Sequence, residues 1–401
     1  MKIVLVNKFW YPRGGAEKVA LLTKELLEKA GHQVEIFGMN HPSNLFSNQY
    51  FTDFIDYHHA SIWQKIKFGV RAIYNLQAAR NFKKLLNDFQ PEVVHFHNIY
   101  HQLSCSVIGV AKQMGIKTVM TLHDYKFISP NYNLYHHGQI DESCVGGKYY
   151  RCLLNNCLEN YSESVLATLE AYFVDIVGYK KMIDQYISPS NFLRDKFIKA
   201  GFDAKKIVQL SNPLSPDNFV FTKNDGDYVA YVGRLAVEKG VNFLLQAAHN
   251  LPTIHFKIAG DGPQKEYLHD LTKNLNLKNI EFAGEQRDTD LQKLIGNARL
   301  LVAPSVWYEN APLSIMEAKA HGKIVIASDL GGISELLPKE CLVVPAKADI
   351  LAKKIEYWFL ASSQDRQNIG EELYRQALDK NSVGIYLQRL LTIYAGLQNK
   401  K

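Results

Sequence analysis

Residues 307–318 read W-Y-E-N-A-P-L-S-I-M-E-A, with Glu309 and Glu317 eight positions apart and Pro312 between them. On one continuous helix that spacing means ~12 Å of rise and roughly 80° of rotation, too much for both carboxylates to meet one small ligand. A proline suits the first turn of a helix, where its missing N–H is no loss. The stretch therefore reads as a loop carrying Glu309 and Asn310, then a helix from about Pro312 through Ala320 with Glu317 roughly a turn inside it. Leu313 and Ser314, at the helix start, would offer backbone N–H groups to an anion such as phosphate.

Other chemistry-bearing residues fall just after predicted strands, where doubly wound sheets bind ligands. In YVGRLAVEKG (231–240), Arg234 and Lys239 are two cations that could neutralise a diphosphate, one as a fork and one as a point charge. Gly14 and Gly15 open a helix in KFWYPRGGAEKVALL (8–22), either as a ligand-facing terminus or as a plain helix start. His123 and Asp124 stand at a sheet edge where an imidazole could donate to or accept from a hydroxyl group, a structural histidine being the alternative. AGDGP (259–263), with Gly260, is by itself only a tight turn. His95 and His97 share one face of a strand but lack a clear third ligand for a metal. No G-x-G-x-x-G follows the first strand, and the second ends in Phe37-Gly38-Met39-Asn40 without an acid, which argues against a nicotinamide or flavin enzyme.

These residues need elements to hold them. Apolar, β-rich runs at 2–7, 33–39, 92–98, 117–124, 186–190 and 206–212 alternate with helical patterns, and a second series follows at 227–233, 255–260, 280–284, 299–305, 323–329 and 341–345. Continuous apolar runs of this kind are strands buried on both faces of parallel sheets. At 401 residues the chain exceeds one ordinary core, so the expected architecture is α/β: two doubly wound, Rossmann-like domains. The Pro- and Asn-rich stretch 211–227 is the expected linker, giving domains at 1–212 and 220–379. Residues 380–401 form a terminal helix expected to pack back on the first domain.

Composition narrows the partners. Hydrophobic residues at 47% and charged residues at 21% describe a soluble globular chain, and MKIVLVNKFW reads as a buried first strand rather than a leader. A net charge of +6 does not single out nucleic acid. The stretch 61–86 carries Lys65, Lys67, Arg71, Arg80, Lys83 and Lys84 and no acid, with Ile62, Trp63, Ile66, Phe68, Val70 and Ile73 among them. That pattern suits one interfacial helix on an anionic membrane, or a helix with a solvated basic face. Five cysteines, an odd number, are expected to be reduced thiols. The expected location is cytoplasmic, with peripheral contact at the inner membrane face.

Together the motifs resemble the retaining glycosyltransferases of family 4, also called group 1, over nearly the whole chain: G-G-A-E (14–17), H-D-Y (123–125), G-R-L-x-x-x-K-G (233–240), G-D-G-P (260–263), E-x7-E (309–317) and G-G-I-S-E (331–335). The resemblance implies the GT-B fold, two Rossmann-like domains facing across a cleft, and transfer from a nucleotide-diphosphate sugar to a glycan or lipid-linked acceptor without a metal or other cofactor. It implies that Arg234 and Lys239 hold the donor diphosphate, Glu317 the ribose and Glu309 the transferring sugar. Gly15, Gly260, Asn310, Leu313 and Ser314 complete the donor side, and His123 touches the sugar near its reacting carbon. Gly14, Gly15, His123 and Asp124 face the acceptor. Two departures stand out: Ser211-Asn212-Pro213-Leu214 replaces the usual N-G-V-D, and the insertion at 141–157 resembles a cysteine-bearing insert of polysaccharide-assembly relatives. Cys144, Cys152 and Cys157 there, with His136, His137 or Asp141, fit no standard zinc spacing, and no metal site is assigned. The Asp225-Gly226-Asp227 triplet reads as a turn. The other readings are a nucleotide-sugar 2-epimerase of the same fold and a non-catalytic nucleotide-sugar-binding protein.

Overall fold

The computed structural model describes residues 1–54, 69–223 and 226–398. Its residues cluster into two compact units: Met1–His137, Asp141–Leu210 and Tyr386–Lys401 in the first, Gly138–Ile140 and Ser211–Ile385 in the second. Each unit is built on one parallel sheet of six strands.

In the first unit the strands are β1 (Lys2–Val6), β2 (Gln33–Phe37), β3 (Val93–Phe96), β4 (Lys117–Thr121), β5 (Gln185–Ser188) and β6 (Ile207–Gln209), side by side in the order β2-β1-β3-β4-β5-β6. The register runs Ile3 to Val34 on one side and Ile3 to Val93 on the other. Connections leave β1 toward β2 and then cross back to β3, so the sheet changes winding direction between β1 and β3. The second unit holds β7 (Tyr228–Val232), β8 (His255–Ala259), β9 (Ile280–Gly284), β10 (Leu300–Ala303), β11 (Ile324–Ser328) and β12 (Leu342–Val343), in the order β9-β8-β7-β10-β11-β12. Its winding reverses between β7 and β10. These are the points where open α/β sheets leave a crevice beyond their carboxyl ends. All twelve apolar runs of the sequence are strands, because a parallel strand covered on both faces must be apolar throughout.

Helices of eight residues or more are numbered in chain order: α1 (Gly15–Lys29), α2 (Leu76–Phe89), α3 (Ser106–Gln113), α4 (Tyr161–Val177), α5 (Asn191–Lys199), α6 (Val241–His249), α7 (Lys265–Asn274), α8 (Asp288–Gly296), α9 (Leu313–Ala320), α10 (Ala348–Leu360), α11 (Ser363–Asn381) and α12 (Val383–Gln398). The second core joins Val229, Leu301 and Ile326 of its sheet with Leu244 of α6 and Ile355 of α10. The terminal helix α12 is fixed to the first unit as expected. Tyr386 meets Thr23 of α1 at 2.9 Å between hydroxyls, and the Tyr394 hydroxyl meets His95 Nδ1 at 2.7 Å.

The structure corrects two expectations. The basic stretch 61–86 is not one helix: residues 69–73 are helical, Tyr74 and Asn75 are not, and α2 begins at Leu76. Asn75 stops the first helix by capping the second, its side chain accepting from Ala78 N and donating to Gln102 O at 2.7 Å, with its own N–H bound by Ser104 Oγ at 2.9 Å. Ile62, Trp63, Lys65, Ile66, Lys67 and Phe68 lie outside the described residues, as does Asp225. The second correction concerns the thiols. Cys152 and Cys157 are joined as a disulfide, their Cα atoms 4.8 Å apart, while Cys144 is a buried free thiol in the same cluster. Gly226 carbonyl accepts from Arg299 Nε at 2.6 Å at the amino end of β7, the end opposite the ligand edge.

Candidate active site

The second unit brings together two predicted residues seventy positions apart. Lys239 ends a 3-10 turn, Val237–Lys239, after β7; Glu309 lies on the loop leaving β10. Lys239 Nζ donates to Glu309 Oε1 at 2.6 Å, across the point where the sheet reverses. The same carboxylate oxygen accepts from Ser305 Oγ at 2.8 Å, and Lys239 Nζ sits 5.2 Å from the centroid of the Trp307 ring. Burial of Glu309 pushes its carboxyl up, but the Lys239 ammonium, helped by the Ser305 hydrogen bond, outweighs that, and the net shift is downward. Glu309 is thus an anion, suited to accepting hydroxyl protons in hydrogen bonds and unsuited to acid catalysis.

Backbone contacts hold this loop from two sides. Val306 N donates to Glu238 O at 2.9 Å, and Gly332 N donates to Glu309 O at 2.6 Å. Two glycines make the approach feasible. Gly331 has φ +66° and a Cβ there would stand 2.5 Å from Glu309 O; Gly240 has φ +67° and a Cβ there would stand 2.1 Å from Pro304 O. Both positions combine a left-handed backbone with a contact no side chain can share.

Glu317 is buried on α9, a turn inside the helix as expected, so the two glutamates do belong to different elements. The helix starts one residue later than predicted: Pro312 is its N-cap, in extended conformation. That cap makes no side-chain hydrogen bond and the first turn holds no acid, so the terminus at Leu313 and Ser314 keeps its positive dipole end for an anion. Asn310 is half-buried on the same loop. Arg234 is exposed beside the β7 exit, and Gly260 N donates to Gly284 O at 2.7 Å, so its amide is already committed. Gly260 can line the edge but cannot bind through that N–H.

The first unit gathers another set beyond β1, β3 and β4. His123 Nε2 and His97 Nδ1 are 3.0 Å apart, and their rings stack at 5.2 Å between centroids. Burial lowers His123 to about 4 and His97 well below the ordinary range, so both are neutral at pH 7 and one donates to the other. His95 is a structural residue: its ring nitrogens meet Tyr394 and, at 2.8 Å, Thr121 Oγ1. Asp124 is raised by burial, despite its bond from Lys126 N and the nearby Lys8. Lys8 is lowered by burial, with Glu17 and Asp124 opposing that shift. Gly14 is the N-cap of α1 and Glu17 is buried in its first turn. A carboxylate there already answers the helix dipole, so this terminus is less open to phosphate than that of α9.

Sequence reading missed Lys8, Ser305, Trp307 and the buried pair of Lys126 and Glu170, 2.8 Å apart. Lys8 and Trp307 lie inside quoted motifs and Ser305 ends the apolar run 299–305, but only strand order reveals what they face.

Comparison with known proteins gives the following. The family model described as Glycosyltransferase Family 4 matches residues 13–218, and that described as Glycosyl transferases group 1 matches residues 217–376. A Klebsiella pneumoniae protein described as an uncharacterized 42.6 kDa protein in the cps region is 28% identical, covering 84% of this chain and 87% of its own. One human phosphatidylinositol N-acetylglucosaminyltransferase chain is 22% identical, covering 85% of this chain and 65% of its own. Among solved structures, Anabaena HepE in complex with UDP and glucose superposes with a TM-score of 0.68 at 17% identity, covering 99% of this chain and 100% of that one. The fold is that of the GT-B glycosyltransferases.

Proposed function

The chain belongs to the glycosyltransferases of family 4, group 1, and from that premise we propose that it transfers a sugar, with retention, from a nucleotide-diphosphate sugar to a lipid-linked or polysaccharide acceptor. The observation that carries the reading is the Lys239–Glu309 pair at 2.6 Å, set at the reversal point of the second sheet beside the open terminus of α9. The resemblance to a protein solved with UDP and glucose supports a nucleotide-sugar donor. The relative from a cps region and the one named for phosphatidylinositol support a surface-glycan or lipid acceptor.

In this reading the donor diphosphate lies against Arg234, Lys239 and the N–H groups of Leu313 and Ser314, whose positive charge offsets that of the departing group. Glu309 and Asn310 bind the sugar hydroxyls, Glu317 binds the ribose, and Gly260 lines the edge. The bond from the anomeric carbon to the phosphate breaks through an oxocarbenium-like state. The acceptor oxygen attacks from the leaving-group face, its proton passing to the departing phosphate. His123, held by His97, touches the sugar near that carbon, and Asp124, Gly14 and Gly15 face the acceptor. No side-chain base and no metal are needed, and the work takes place at the cytoplasmic face of a membrane.

Incubation with labelled nucleotide sugars and membrane lipid extract tests this. Expected is a glycosylated product whose anomeric configuration, by NMR, matches the donor's, at a rate that EDTA leaves unchanged. Inversion, or donor epimerised without acceptor, would overturn the reading.

A further inference from the structure

Helix α4 is turned the wrong way round for a soluble surface. Its exposed positions Tyr161, Val165, Leu169 and Ile176 recur at spacings of four, four and seven, which is one stripe along the axis. Tyr161 is 64% exposed, Leu169 54% and Ile176 83%. The inward face is small and polar instead: Ser164, Ala167, Thr168 and Ala171 are buried, and Glu170 is neutralised by Lys126. The outer stripe runs roughly 22 Å from Tyr161 to Ile176 at the rise of an α-helix, and the one charged residue bordering it, Asp175, is paired with Lys180.

The stripe does not end at the helix. Phe173 lies edge-on to Tyr74 with centroids 6.4 Å apart, Leu166 packs beside Gly69, and Val70 next to it is 64% exposed. Beyond Tyr74 the character changes abruptly. The exposed face of α2 carries Arg80, Lys83 and Lys84 against one acid, Asp88 in its last turn, which accepts from the Tyr50 hydroxyl at 2.7 Å. A contiguous apolar surface with a cationic margin matches the acyl boundary and anionic headgroups of a bilayer. A second copy is a poorer occupant, because a two-fold contact would draw the same cationic margin toward its own image.

We infer that the outer face of α4, with Val70 and Tyr74, seats the protein in an anionic lipid surface, its stripe entering the acyl boundary while Arg80, Lys83 and Lys84 meet the headgroups. This goes beyond the proposed transfer reaction and beyond the basic segment as read from sequence, since it assigns the insertion to an element some ninety residues further on. The binding step needs no substrate, so its test is independent of activity.

The experiment is flotation of the full chain with phosphatidylcholine vesicles, with and without phosphatidylglycerol, at low and high salt. Expected is capture by the anionic vesicles that weakens as salt rises. The doubly substituted Leu169→Asp, Ile176→Asp protein should lose capture roughly tenfold or more while melting no lower than wild type, since both positions face outward. Lys83→Glu with Lys84→Glu should weaken capture by anionic vesicles only. Wild type that does not float, or a double variant that floats equally well, overturns the proposal. So does a double variant with a lowered melting temperature, which would mean the chain itself covers the stripe. A lipid-free wild-type dimer that the double variant dissolves, read by light scattering, would assign the face to a second copy.

Discussion

At the scale of single residues, Lys239 and Glu309 define each other. Lys239→Ala leaves a buried carboxylate bonded by the Ser305 hydroxyl, and because Lys239 keeps some solvent contact the stability cost is discounted to roughly 2 kcal/mol. Sugar transfer should fall by roughly a hundredfold or more, whereas Lys239→Arg should restore much of the stability and little of the transfer; chemical denaturation and initial rates read the two separately. The histidines give a pH signature. His123 and His95 have folded values lowered by burial to about 4 and about 3, so between the ordinary value of 6.5 and those values the unfolded chain binds protons that the folded chain refuses. Stability is therefore expected to fall as pH drops from 6.5 toward 4, and His123→Asn should flatten part of that slope in urea midpoints measured across the range. Sequence alone supplied the identity of each partner in the Lys239–Glu309 pair but not the pairing, since neither spacing nor residue type says that strands separated by two others in sequence lie side by side. His95 illustrates the converse: on its strand it looked like half a metal site, and only Tyr394, almost three hundred residues on, makes it structural.

At the scale of elements, the loop from Pro304 to Pro312 is a precision part held by glycines at its two neighbours. Gly331→Ala would place a Cβ 2.5 Å from Glu309 O in a left-handed backbone, and a loss of about 2 kcal/mol or more is expected, with weaker donor binding. Gly384→Ala, in helix α12 with open space around it, is the matched control and should leave both unchanged. Thermal melts with and without nucleotide sugar would show the difference. The strands were readable from sequence because burial on both faces leaves a continuous apolar run. The break at Asn75 was not, because the groups that fix it, Gln102 and Ser104, arrive from a loop nearly thirty residues later. Likewise an odd cysteine count argued for free thiols, whereas the disulfide depends on a turn that brings Cys152 and Cys157 together.

For the whole molecule, the terminal helix is part of the first unit although it follows the second in sequence. Leu390, Tyr394 and Leu397 are buried, and each apolar side chain of that size contributes about 1.5–3 kcal/mol on burial. Ending the chain after Asn381 should therefore unfold or aggregate the first unit while the second still melts cooperatively, as limited proteolysis would reveal. Among the described residues no helix is long and apolar enough to cross a membrane. The central claim is that the crevice beside Lys239 and Glu309 receives a nucleotide-diphosphate sugar. Calorimetric titration of the intact chain with a panel of such sugars addresses it directly, with Glu309→Gln run alongside. One donor should bind the wild type and bind Glu309→Gln at least roughly tenfold more weakly, about 1.4 kcal/mol; no binding by any donor, or equal binding by both proteins, would contradict it.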